Sequence, residues 1–307
     1  MRLGLAAMLL AAVLLASGAL LAQEVEAPAA PEPAPASAQI NLTITPKRLT
    51  FNRNTRSASV YVYNQGNKPA TVDVTLIDRV MLPSGDIRTF DAASADAETR
   101  TFADRLHSGR GLIVATPRRI TLAPGKGQTV RLRVTPPASA DAAEYRSHLT
   151  VATVPPREAG LTAEDAAAQR PGELSFRLNA VFGLSIPVII RTDTPDVRAD
   201  IRNVRLDQDM LSPDGVAPPS PTPVIAFDLA RLGASSLFGN VEIRSATRGR
   251  DVVGLARGVG VYPEIDSRMI RVPLRRAPAA GEVLDVTFVD DDVTPGRVVA
   301  KASLTPS

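Results

Sequence analysis

The chain is 307 residues long, with 35 lysines and arginines against 32 aspartates and glutamates, two histidines, and neither cysteine nor tryptophan. A formal net charge of +3, spread among nearly as many acids and without basic clusters interleaved with aromatics, argues against nucleic-acid binding. The missing cysteines exclude a disulfide-stapled miniature, so stability must come from apolar burial; at roughly 100 residues per sandwich, the length suits two such domains.

Residues 1–22 read as a signal peptide. Arg2 precedes an uncharged, largely apolar run from Leu3 to Leu15, and the small residues Ala16, Ser17, Gly18 and Ala19 follow. Cleavage after Ala19 and cleavage after Ala22 both fit. No second uncharged run of spanning length follows, so no transmembrane anchor is expected. Residues 23–38 are mainly Ala, Pro and Glu, a composition that buries too little surface to fold, and they read as a disordered arm.

Period-two alternation begins at Ile40, Leu42 and Ile44 and returns at Val60–Tyr63. The segment from Asn64 to Pro69 reads as a turn and Val72, Val74 and Leu76 continue beyond it, so a hairpin is expected. Further strands are expected at Leu112–Ala115, Arg119–Leu122, Thr129–Val134, His148–Val154 and Leu174–Ile190. Helical periodicity is nearly absent; Ala138–Ala143 and Leu161–Ala168 suit at most short turns within connections. Residues 39–191 thus form one all-β domain. A joint at Thr192–Pro195 opens a second, 192–307, with strands expected at Val197–Val204, Val224–Leu229, Gly239–Arg244, Val252–Tyr262, Met269–Leu274, Leu284–Val289 and Arg297–Leu304. The proline-rich stretch Ser212–Thr222 reads as an exposed loop. The fold class expected is all-β, with two β-sandwich domains.

Residues able to carry catalysis are scarce. His107 and His148 have no nucleophile elbow nearby. No set of Cys, His and carboxylate ligands has zinc spacing, and no cofactor is implied. Asp290, Asp291 and Asp292 lack the alternating ligands of a calcium loop and read as a solvated turn. The Pro124–Thr129 stretch misses the phosphate-loop spacing and reads as a hairpin turn. No convergent set of titratable groups suggests an enzyme.

One feature stands out. Leu174, Phe176, Leu178, Ala180, Phe182, Leu184 and Ile186 occupy seven consecutive even positions, with Ser175, Arg177, Asn179, Gly183 and Ser185 among the odd ones. A strand so patterned shows one continuous apolar face. It either covers its own core or, at a sheet edge, offers a strand to a partner, and the pattern alone leaves both readings open.

Thr116, Pro117, Arg118, Arg119, Ile120, Thr121, Leu122, Ala123, Pro124 and Gly125, followed by Gln128, Val130 and Arg131, resemble the most recognisable stretch of the PapD-type periplasmic pilus chaperones. Asn64–Pro69 resembles that family's first hairpin, and Glu144, Tyr145, Leu149, Val154, Pro155 and Pro156 its acidic, aromatic, double-proline strand. The resemblance covers Ile40–Arg191; beyond it, only size and strand rhythm agree. It implies two immunoglobulin-like domains and an ATP-independent periplasmic chaperone. Such a chaperone lends the Leu174–Ile186 strand to pilin-like or other secreted β-rich subunits, and an outer-membrane usher is a further partner. It also implies Arg48 as an anchor for the subunit's terminal carboxylate, which a guanidinium grips through paired hydrogen bonds. The family's second basic anchor falls near Leu184 or Ser185, and neither is basic, so that anchoring rests on Arg48 alone, on Arg191, or is absent. The rival reading is a structural or adhesive cell-envelope protein of the same fold, suggested by the Pro/Ala-rich arm.

Overall fold

Alternating apolar and polar residues account for nearly every element of the computed structural model, which describes residues 40–137, 141–155, 181–212, 214–249 and 251–306. The expected signal peptide and arm, the Leu161–Ala168 turn and the ridge residues Leu174, Phe176, Leu178 and Ala180 lie outside them. In chain order the first half contains β1 (Leu42–Thr45), β2 (Leu49–Phe51), β3 (Ser57–Asn64), β4 (Ala70–Ile77), β5 (Arg79–Met81), β6 (Ile87–Thr89), helix α1 (Ala97–Ala103), β7 (Ile113–Thr116), β8 (Arg119–Leu122), β9 (Gly127–Val134), β10 (Glu144–Thr153) and β11 (Gly183–Arg191). One sheet runs β1-β3-β9-β7 and the other β2-β11-β10-β4-β8, with β5 and β6 forming a separate two-stranded ribbon. Their inward rows, among them Phe51, Val60, Val62, Val72, Leu132, Leu149 and Val188, form one core. Each fully buried side chain of this size contributes about 1.5–3 kcal/mol.

The second half contains β12 (Ala199–Leu211), β13 (Ser220–Arg231), β14 (Leu237–Ser245), β15 (Val252–Val261), β16 (Ser267–Pro273), β17 (Leu284–Asp290) and β18 (Val298–Leu304). They form the sheets β12-β13-β16 and β15-β14-β17-β18 around a core that includes Phe227 and Phe288. Both halves are immunoglobulin-like sandwiches, in which consecutive strands repeatedly change sheet. The proline-rich loop is shorter than expected. Asp209, Met210 and Leu211 pair with Thr222, Pro221 and Ser220, so the strands continue into it.

Two expected hairpins are instead corners between sheets. β3 pairs with β1 and β9, whereas β4 pairs with β10 and β8, so Gln65–Pro69 carries the chain from one layer to the other. Ala123–Lys126 makes the same passage between β8 and β9. Asn64, fully buried, ties the two corners together: its Nδ2 donates to the carbonyls of Lys68 and Leu122, and its Oδ1 accepts from the Gly66 amide. Its backbone N–H donates to the Lys126 carbonyl, and its own carbonyl accepts from Gly125, whose φ of +65° suits glycine.

Helix α1 was not expected from periodicity. It is a single short element started by Asp96, whose carboxylate accepts the Thr99 amide at 2.7 Å.

Candidate functional site

Two neighbouring strands create the candidate site because a strand sends alternate side chains to opposite faces. Along β10, Tyr145, Leu149 and Val151 enter the first core, while Glu144, Arg146 and His148 face the second sandwich. Along β11, Leu184, Ile186, Val188 and Ile190 pack in or against the first core, while Ile189 belongs to the second core and Arg191 meets Asp292. Glu144 lies opposite Arg191 and Arg146 opposite Ile189, so one patch of this sheet is a polar and apolar junction between the sandwiches.

The edge of β11 has a graded exposure. β10 pairs with its whole length, but β2 pairs only with Val188, Ile189 and Ile190. Among the described residues, no strand covers Gly183–Pro187 on that side. Ile186 is 2 % exposed and Leu184 half-buried, whereas Phe182 is 51 % exposed. Ile186, counted in the ridge from sequence, is therefore part of its own sandwich's core, because at this register it faces the opposite sheet. The apolar row leaves the core at Leu184.

Arg48 stands immediately before β2, and its guanidinium is already engaged. Nη2 donates to Asp292 Oδ2 at 2.9 Å and to Ser236 Oγ at 3.3 Å, and the group lies 4.6 Å from the centre of the Phe238 ring. Arg191 Nη2 donates to the same Asp292 oxygen at 2.5 Å, and Arg191 Nε lies 3.4 Å from Glu144 Oε2. That Glu144 oxygen also accepts the amide and hydroxyl of Ser236. Two arginines and two carboxylates thus balance across the junction, with Ser236 linking them.

The three consecutive aspartates are not a merely solvated turn. Asp290, 3 % exposed, accepts the Asp292 amide at 3.2 Å and the Thr294 amide at 2.5 Å, bending the chain so that Asp292 points at the two arginines. No sequence spacing announced this, because the arginines lie over 100 and over 240 residues away. Among the described residues, no group of three His, Cys, Asp or Glu side chains is placed to hold a metal ion.

A second buried cluster lies beside the first. Arg146 and Glu264, 2 % and 1 % exposed, form an ion pair, and Glu264 Oε1 also accepts the Met81 amide at 2.9 Å. Burial pushes the Glu264 carboxyl up, while Arg146 and the Met81 amide oppose that shift. Arg146 donates to the Arg79 carbonyl at 2.9 Å and stacks 3.9 Å from the Tyr262 ring centre. His148 Nδ1 lies 3.4 Å from Arg146 Nη1. Burial, helped by the positive charges of Arg146 and Arg79, pushes the imidazole down to about 2, so it is neutral and its Nδ1 accepts. His148, whose strand pattern suits either a packed or a surface position, is packed, 3 % exposed, on the junction face. Glu264 offsets the charge of Arg146. The arrangement is a clamp between sandwiches next to an open strand edge.

The chain is similar in structure to solved pilus chaperones. The Escherichia coli chaperone DraB superposes with a TM-score of 0.41 at 13 % identity, over 87 % of this chain and 97 % of that one. The CsuC–CsuE chaperone–tip adhesion subunit pre-assembly complex of Acinetobacter baumannii gives 0.41 at 12 % identity, covering 87 % and 99 %. The Salmonella enterica SafA pilin in complex with the SafB chaperone gives 0.40 at 12 %, covering 88 % and 98 %. No family model matches the sequence, and no curated protein matches it. Among the described residues, no helix is long and apolar enough to cross a membrane.

Proposed function

We propose that the chain is an exported chaperone of the periplasm that holds pilin-like or other secreted β-rich subunits by strand donation before surface assembly, without ATP and without catalysis. The reading rests on the gradient along β11. Ile190, Val188 and Ile186 fill their own core, but the same apolar row emerges at Leu184 and Phe182, at an edge that β2 leaves unpaired. The sequence continues the row through Ala180, Leu178, Phe176 and Leu174. An open edge supplies main-chain donors and acceptors to an incoming strand, and the apolar row supplies side chains to a groove that lacks one. An outer-membrane usher is the acceptor for the loaded complex. A subunit carboxylate anchored by Arg48 competes with Asp292 for Nη2, while Nε and Nη1 make no hydrogen bond among the described residues.

Affinity purification of the tagged chain from periplasmic extract, with identification of the bound protein, tests this. The expected result is a small secreted β-rich subunit, lost on Phe182→Asp. A periplasm without any such complex, or a complex untouched by Phe182→Asp, overturns the proposal. Stable retention of the chain in an assembled surface structure favours the envelope-component reading instead.

A further inference from the structure

We infer that residues 78–108 form a strap that makes the two sandwiches one cooperative unit and sets the junction between them. This goes beyond the chaperone reading and does not depend on it.

The chain leaves the first sandwich after β4 and returns at β7. The base of this excursion is pinned, since Ser108 Oγ lies 2.9 and 2.8 Å from the two Asp78 carboxylate oxygens and Ser147 Oγ donates to Asp78 at 2.7 Å. Between those points the β5–β6 ribbon and α1 lie against the other sandwich. Met81, 3 % exposed, is a member of the second core, with Ile87 and Phe102 packed against it. A core residue lent by one domain to another couples their unfolding, because withdrawing it leaves a cavity.

The backbone adds a separate attachment. Among the described residues β16 is an edge strand that pairs only with β13, and the Met269 amide on its open side donates to the Pro83 carbonyl at 3.0 Å. The strap therefore covers an edge that would otherwise invite pairing. At its tip, Gly85 has a φ of +94°, and any Cβ there would overlap the Arg268 guanidinium, which donates to the Gly260 carbonyl at 3.0 Å. Arg105 grips Asp266 through two bonds of 2.6 and 3.2 Å, an exposed pair of small value that closes the far side. Apolar, backbone and ionic contacts from one 31-residue segment thus converge on β16 and its preceding loop.

The test uses the full mature chain. Calorimetry of the wild type is expected to give one transition, with amides of β16 exchanging no faster than those of β3 and β9. Gly85→Val strains the backbone of the tip, whose φ is +94°, and pushes the Arg268 guanidinium aside without touching the first core. It is expected to split the transition in two and to raise exchange in β16 by about tenfold or more, with β3 and β9 unchanged. Two transitions in the wild type overturn the inference, as does a Gly85→Val chain that still melts once with β16 fully protected. Should Gly85→Val fail to fold, Met81→Ala, which keeps the tip glycine, is held to the same two outcomes.

Discussion

Arg48 donates to Asp292 at 2.9 Å across the junction, with both side chains only 11 % exposed. This one contact joins the start of β2 to the loop after β17, and Arg191 shares the same carboxylate oxygen. Burial of these charges is tolerable only because each has a partner; an arginine stripped of its carboxylate here would retain its desolvation cost without compensation.

Asp292→Ala is therefore expected to destabilise the folded chain by about 3–5 kcal/mol, the usual result of orphaning a buried charge. Urea unfolding checks the magnitude. A double variant, Arg48→Met with Asp292→Ala, is expected to recover part of the loss, and a simple sum of the effects of Arg48→Met and Asp292→Ala would show that the residues do not couple.

Asp292→Asn weakens the internal competitor for Arg48 while keeping the side chain's shape. If a client carboxylate exchanges with Asp292, this variant captures a client more tightly, by about tenfold or more for one charge-assisted hydrogen bond of about 1.5–3 kcal/mol. The measurement is client affinity with a free and an amidated C-terminus. Equal affinity for both in wild type and variant assigns Arg48 to the junction alone.

Phe182 and Ile186 share a strand face but differ in burial, 51 % against 2 % exposed. Phe182→Asp is expected to leave stability within about 0.5 kcal/mol of wild type and to abolish client capture. Ile186→Asp places a carboxylate in the core of the first sandwich and is expected to prevent folding at neutral pH. Thermal melts beside a capture assay separate the two.

His148 gives the junction a pH dependence. Its imidazole is held near 2 in the fold but titrates near 6.5 when free, so below pH 6.5 the unfolded chain takes up a proton that the folded chain refuses. Stability from this group is complete above pH 6.5 and falls by up to about 1.4 kcal/mol per unit as the pH drops from 6.5 toward 2. His148→Gln is expected to flatten that part of the profile, read as the difference between urea midpoints of variant and wild type at pH 7, 6, 5 and 4. Parallel profiles would place the dependence on the carboxylates instead.

Strand identity was legible from local pattern. Alternation at Val60–Tyr63, Thr129–Val134 and Leu284–Val289 named strands found within two or three residues of their expected limits, since the face a side chain takes depends only on its parity along the strand. The Phe182 end of the apolar row was legible for the same reason. Parity does not say which strand lies alongside. Asn64–Pro69 has the composition of a hairpin turn, yet it is a corner, because β3 and β4 find better partners in opposite sheets. Nor does it say what covers the outward face. Glu144, Arg146 and His148 share one side of β10, which begins four residues before the expected start, and only the packed second sandwich makes that side an interior. Asp292, Glu264 and Met81 acquire their roles from groups 101 to 244 residues away in sequence, a distance over which composition carries no information and folding alone brings charges and apolar side chains together.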